Sequence, residues 1–151
     1  MNTNTLKSIY PELEIHDCGG NAVYVNGIKD AVHPAVFLSQ LTIAGAIVYV
    51  AGQIAIDPKT NKMIEHASVE SETERVFDNI EAALAGVGLA LSDVVKSSVF
   101  LTNFDEFPKF NEIYIKRMKG CRPAREAVQV VRLALGATVK ITVIAYKPKL
   151  G

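Results

Sequence analysis

The chain has 151 residues, of which 16 are Lys or Arg and 16 are Asp or Glu, so its formal net charge at pH 7 is zero, and 49% are hydrophobic. A chain this long buries a substantial core as one domain, and an apolar half with only 21% charged residues excludes an intrinsically disordered chain. The charge balance argues against nucleic acid as a partner, because such binders carry a basic excess, while two cysteines, Cys18 and Cys121, are too few for a disulfide scaffold and lack zinc-ligand spacing.

Reduced thiols in a cytoplasmic protein are a simpler reading of those cysteines than a single bridge. Met1–Ser8 has one lysine and no apolar stretch, unlike a secretory leader. The longest apolar run, Ile43–Ala51, is about half of what a membrane-spanning helix needs, so no membrane association is expected. Ala22–Val25 reads as a strand before the Asn26-Gly27 turn, and the register of the first 35 residues is otherwise open. From Ala46 the run IVYVAGQIAI is β-branched and aromatic, then breaks at Asp57–Lys62, which predicts a strand and a turn. Over Ser68–Val87 the residues Val69, Thr73, Val76, Phe77, Ile80, Ala83, Leu84 and Val87 recur at three and four residues, which predicts an amphipathic helix. Ser68 or Ser71 would cap its start, with Gly86 and Gly88 at its end.

Val94–Thr102 alternates as a strand does. Glu106–Met118 predicts a second helix with Phe107, Phe110, Ile113, Tyr114 and Met118 on one side and Pro108 in the first turn. Ala127–Leu133 and Thr138–Tyr146 read as two strands joined through Leu135-Gly136-Ala137 as a hairpin. On the last strand Val139, Ile141, Val143 and Ala145 share one face, and Lys140, Thr142, Ile144 and Tyr146 share the other. This order is an α+β pattern, a mixed sheet with two helices on one face. The opposite face carries apolar residues such as Ile144 and Tyr146, so a homo-oligomer is expected.

Three histidines, His16, His33 and His66, lack the spacing of convergent metal ligands and read as ordinary loop residues, so no metal is expected. No phosphate-cradling glycine loop and no nucleophile elbow is present; Gly52 follows a strand without companion glycines, and Ser39, Ser97 and Ser98 sit in no nucleophile motif. Arg125 directly precedes the Ala127–Leu133 strand, where a guanidinium can grip a carboxylate with two parallel hydrogen bonds. On composition alone an ordinary surface arginine is the favoured reading, since most arginines are surface residues.

Four separated segments together resemble the reactive-intermediate deaminase family (RidA/YjgF, also called the L-PSP endoribonuclease family). They are Val50-Ala51-Gly52-Gln53-Ile54 with Asp57-Pro58-Lys59-Thr60, Asp93–Thr102, Phe110-Asn111-Glu112-Ile113-Tyr114, and Pro123-Ala124-Arg125 through Leu133. The resemblance runs from about Val36 to Tyr146 and divides the chain into an extension, residues 1–35, and a RidA-like part, residues 36–151, of a single domain. It implies a chorismate-mutase-like fold, a homotrimer with clefts between subunits, and hydrolysis of small enamines or imines to 2-oxo acids and ammonia without a cofactor. Arg125 matches the residue that holds the substrate carboxylate. Gly52 and Asn111 match pocket positions, and Ala127 stands where the main-chain carbonyl is the useful group. Ala51 replaces a common serine and Leu38 a tyrosine. Lys140 stands where the family has the glutamate that positions the attacking water.

An ammonium is no proton acceptor unless its pKa is depressed. Lys140 is therefore either a solvated strand residue or a partner of Glu126, or it binds with Arg125 a substrate carrying two anionic groups, or the water-activating step is lost. The leading expectation is imine deamination of a small carboxylate-bearing substrate with an altered range. The alternative is a non-catalytic carboxylate-binding trimer. RNA cleavage is poorly supported by a neutral chain without a basic stripe. The extension reads as an extra strand and loop bracing the sheet edge, or else as a rim bringing Tyr10, His16 or His33 to a neighbour's cleft.

Overall fold

The computed structural model describes residues 3–34, 37–65 and 67–148. A short helix α1 (Thr3–Ile9) precedes strands β1 (Glu14–Asp17), β2 (Ala22–Asn26), β3 (Leu41–Ala44) and β4 (Ile47–Gln53). A small ribbon of β5 (Ile56–Asp57) and β6 (Lys62–Met63) leads to helix α2 (Val69–Ala85). Strand β7 (Val94–Leu101), helix α3 (Phe107–Met118), β8 (Ala124–Gln129) and β9 (Val139–Tyr146) follow. The seven-stranded sheet runs β1-β2-β3-β4-β9-β7-β8, with β7 and β8 parallel and every other pair antiparallel. The α+β reading therefore holds.

The long helix forms where the apolar period is 3.6. Ser68 caps it, its hydroxyl accepting from the Ser71 amide while Ser71 Oγ accepts from the Ser68 amide, so both orphan donors are satisfied. Val69, Val76, Phe77, Ile80, Ala83 and Leu84 are buried against the sheet face formed by Val48, Val50, Val139, Ile141 and Val143. Three buried polar side chains fasten loops to this core. Glu72 Oε2 accepts from the amides of Thr138 (2.8 Å) and Val139 (3.2 Å) at the start of β9. The Asn79 amide donates to the carbonyls of Ile54 and Ile56, and Gln40 accepts from the Ile28 amide and donates to the Val32 carbonyl.

The expected hairpin between the last two strands is absent. β7 lies between β8 and β9, pairing with β8 in parallel and with β9 in antiparallel register. Alternation identifies strands but not partners, and helix α3 between β7 and β8 is the crossover that a parallel pair requires. β8 also begins earlier, at Ala124, and ends at Gln129, so Arg125 lies within the strand and residues 130–133 leave the sheet. The strand predicted from Ala46 ends at Gln53, after a register shift between Val50 and Gln53 that places Ala51 and Gly52 in a bulge. In the extension, β1 pairs with β2 at the sheet edge and carries His16, which is thus a strand residue and not a loop residue. Tyr10 donates to the carbonyl of Val87 beyond α2. No helix among the described residues is long and apolar enough to cross a membrane.

Candidate functional site

On edge strand β8 alternate side chains go to opposite faces of the sheet. Arg125, in register with the buried Ser97, turns to the helix side, where α3 runs beside it. Its Nη1 donates to Asn111 Oδ1 at 2.8 Å, and its Cζ lies 4.5 Å from the ring centroid of Tyr114 and 5.5 Å from that of Phe107. These three residues occur at positions four and three apart along α3, one helix face. The guanidinium is thus oriented by one neutral acceptor and two aromatic faces, and among the described residues no carboxylate pairs with it. A cleft of about 410 Å³ opens here, lined by Asn111, Tyr114, Met118, Cys121, Arg122 and Arg125. The buried Tyr114 hydroxyl has no hydrogen-bond partner among the described residues.

Lys140 is on the other face. Its neighbours Val139 and Ile141 point into the helix-side core, so Lys140 emerges on the open face, in register with Phe100. Its ammonium lies 6.0 Å from the Phe100 ring centroid, and its stem crosses the β4 bulge. A Cβ on Gly52 would overlap Lys140 Cε and lie 3.0 Å from Thr142 Cγ2, so this close approach needs glycine. Beside the bulge, a cavity of about 940 Å³ covers the open face, with Leu38, Ala51, Tyr49, Tyr24, His16 and His33 among its walls. A further cleft of about 670 Å³ along Thr102 and residues 131–137 holds none of the predicted site residues.

The structure therefore sorts the predicted residues into two groups. Arg125 and Asn111 are joined on the helix side, with Ala127 on the same strand and face and partly buried against the core. Leu38, Ala51, Gly52 and Lys140 belong to the open face. Arg125 and Lys140 of one chain do not converge, because the sheet separates them. Lys140 is also not the partner of Glu126. That carboxylate accepts from the Ser98 hydroxyl and pairs with Lys96 at 3.2 Å, and the two together hold it below the usual glutamate range. The apolar period alone marks Tyr114 and Phe107 as packing residues, while their spacing from Asn111 places them on its face.

Both cysteines are free, Cys18 exposed and Cys121 partly buried. Among the described residues no group of three or more His, Cys, Asp or Glu side chains is placed to hold a metal, and His66 lies outside them.

Comparison with known proteins matches residues 28–147 to the family model Endoribonuclease L-PSP. A RutC family protein of Saccharolobus solfataricus is 45% identical over 72% of this chain and 86% of its own length. A 2-iminobutanoate/2-iminopropanoate deaminase of Dermatophagoides farinae is 35% identical over 68% of this chain and 80% of its own. Among solved structures, RidA from an Antarctic Psychrobacter superposes with a TM-score of 0.74 at 36% identity, covering 78% of this chain and 94% of that one. With motifs, topology and relatives in agreement, the chain belongs to the L-PSP endoribonuclease family, also known as RidA/YjgF.

Proposed function

We propose that this protein is an enamine/imine deaminase which hydrolyses small amino-acid-derived intermediates to 2-oxo acids and ammonia, working as a cytoplasmic homotrimer with clefts between neighbouring copies. The observation that carries this reading is Arg125: a guanidinium fixed by Asn111, Tyr114 and Phe107, exposed at a sheet edge and unpaired with any carboxylate among the described residues. Such a group forms two parallel charge-assisted hydrogen bonds to a substrate carboxylate. The relative that acts on 2-imino acids supports the same substrate class.

Arg125 orients the imine while water adds to its carbon. The new C–O bond forms as the C=N π pair moves to nitrogen, which takes a proton. Proton transfer from the hydroxyl and cleavage of the C–N bond then release ammonia and leave the 2-oxo acid. Imines hydrolyse unaided, so orienting substrate and water is itself a source of acceleration. The backbone carbonyl of Ala127 is the chain's acceptor for water or the imine N–H beside Arg125. The division of site residues between two sheet faces supports assembly, since a second copy can bring an open face to the Arg125 edge. Tyr49 and Tyr146, each 46% exposed on that open face, supply the apolar contact surface. Two free cysteines agree with a reducing compartment.

The test uses an imine generated by a flavin amino-acid oxidase, with its decay followed against semicarbazide capture. The native chain is expected to accelerate 2-oxo acid formation, and Arg125→Ala to lose about a hundredfold or more in kcat/KM. Lys140 favours one second reading, a non-catalytic carboxylate-binding trimer, because an ammonium is a poor proton acceptor. Equal imine decay with and without protein, alongside calorimetric binding of 2-oxobutanoate, would establish that reading instead.

A further inference from the structure

Among the described residues, four lysines and arginines are partly buried, and three of them have an oxygen partner in the fold, as ion pair or hydrogen bond. Arg75 pairs with Asp78, Arg117 with Glu74, Asp78 and Glu81, and Lys147 donates to the carbonyl of Val87. Lys140 has only the Phe100 ring face. An acid on the same sheet face, Glu126, is occupied by Lys96 and Ser98. Removing a cation from water without an anion is unfavourable, yet the fold holds this one by leaving out a side chain at Gly52, over which the lysine stem lies. Arg125 likewise has only a neutral acceptor. Two cations are thus kept without counter-charges, one in each half of the proposed site.

Resting on the deaminase reading, in which these halves meet between copies, we infer that the preferred substrate is dianionic: a 2-imino dicarboxylic acid whose 2-carboxylate lies on Arg125 and whose side-chain carboxylate lies on Lys140 of the adjoining copy. Lys140 is a binding group here and not the base. A protonated amine donates to the carboxylate, and the dianion compensates both charges within one cleft. A monocarboxylic imine would leave the ammonium unpaired, and the site discriminates against it for that reason.

The experiment compares imines formed by amino-acid oxidases from aspartate or glutamate with those from methionine, using the full-length chain. The ratio of kcat/KM, dicarboxylic over monocarboxylic, is expected at about ten or more, the worth of one charge-assisted hydrogen bond. Lys140→Met should collapse that ratio mainly through KM, and Lys140→Arg should keep most of it. In parallel, calorimetry compares 2-oxoglutarate with 2-oxobutanoate in the native chain and in Lys140→Met. Tighter binding of 2-oxoglutarate that vanishes in the variant supports the assignment even if no imine is consumed, an outcome that would overturn only the deaminase reading. Turnover of both imines at equal efficiency, or equal affinity for the two oxo acids, would overturn the Lys140 assignment and leave the deaminase intact. Borohydride capture of substrate mass on Lys140 would also overturn it, by showing an amine nucleophile.

Discussion

Arg125 owes its direction to neutral neighbours. Asn111 holds one nitrogen, and the rings of Tyr114 and Phe107 hold its plane, so orientation costs the guanidinium none of its charge. Tyr114→Leu removes one face and is expected to weaken 2-oxo acid binding about two- to fivefold by calorimetry. Tyr114→Phe should bind within about twofold of the native chain and be no less stable, because the hydroxyl it removes is buried without a partner among the described residues. Gly52→Ala is a different kind of probe. The new Cβ meets the flexible end of Lys140, so the fold should accommodate it while Lys140 is displaced, and the dicarboxylate preference should fall as it does in Lys140→Met. The candidacy of Arg125, Asn111 and Gly52 was legible in the sequence because each sits in a motif. The partner of Glu126 was not, since Lys96 and Ser98 reach it only because β7 lies beside β8, which alternation alone does not reveal.

Between elements, the joint of α2 and α3 is electrostatic at its rim and aromatic beneath. Arg117 reaches from α3 to Glu74, Asp78 and Glu81 on α2, and its guanidinium lies 5.5 Å from the Phe77 ring centroid. Partial burial opposes its charge, but those carboxylates raise its pKa above the ordinary arginine value. In return Arg117, with a smaller contribution from Lys116, lowers that of Glu74. Arg117→Ala is expected to cost about 1–2 kcal/mol in urea unfolding at neutral pH, a network on a partly exposed surface. The sign with pH follows from Glu74. A depressed carboxylate stabilises the fold above its unfolded pKa, near 4.5, and loses that contribution as pH falls through the lower folded value. The gap between native and variant should therefore narrow in acid. Glu72 is a buried joint of another kind, accepting two amides at the start of β9. Glu72→Ala leaves both donors unpaired and should lower stability by about 2–4 kcal/mol, with Glu72→Gln, which keeps an acceptor oxygen, costing less than half. Both helices and the face of β9 were legible from apolar period. Strand order was not: β8 and β9 are adjacent in sequence, but β9 crosses to the far side of β7, a choice set by sheet-wide packing.

At the scale of the molecule, the neutral total charge conceals an uneven arrangement. The helix side of the sheet is filled by α2 and α3, while the opposite face exposes Tyr49, Tyr146 and the 940 Å³ cavity. β1 extends that face beyond the family-matched residues and places His16 in its wall, so this strand forms the sheet edge and lines the cavity at once. On the proposed account, a second copy covers this face and completes the site, and light scattering should give about three times the 16.4 kDa chain mass. Tyr49→Lys, which places a charge within that contact, should shift the mass toward the single chain and abolish imine hydrolysis together. The most direct measurement uses assemblies formed from equal parts of two variants, Arg125→Ala and Gly52→Leu, each expected to be inactive alone. If every cleft takes Arg125 from one copy and the bulge from the next, random mixing makes about a quarter of the clefts whole, and imine hydrolysis should return to roughly that fraction of the native rate. Hybrids no more active than either parent would contradict a site shared between copies.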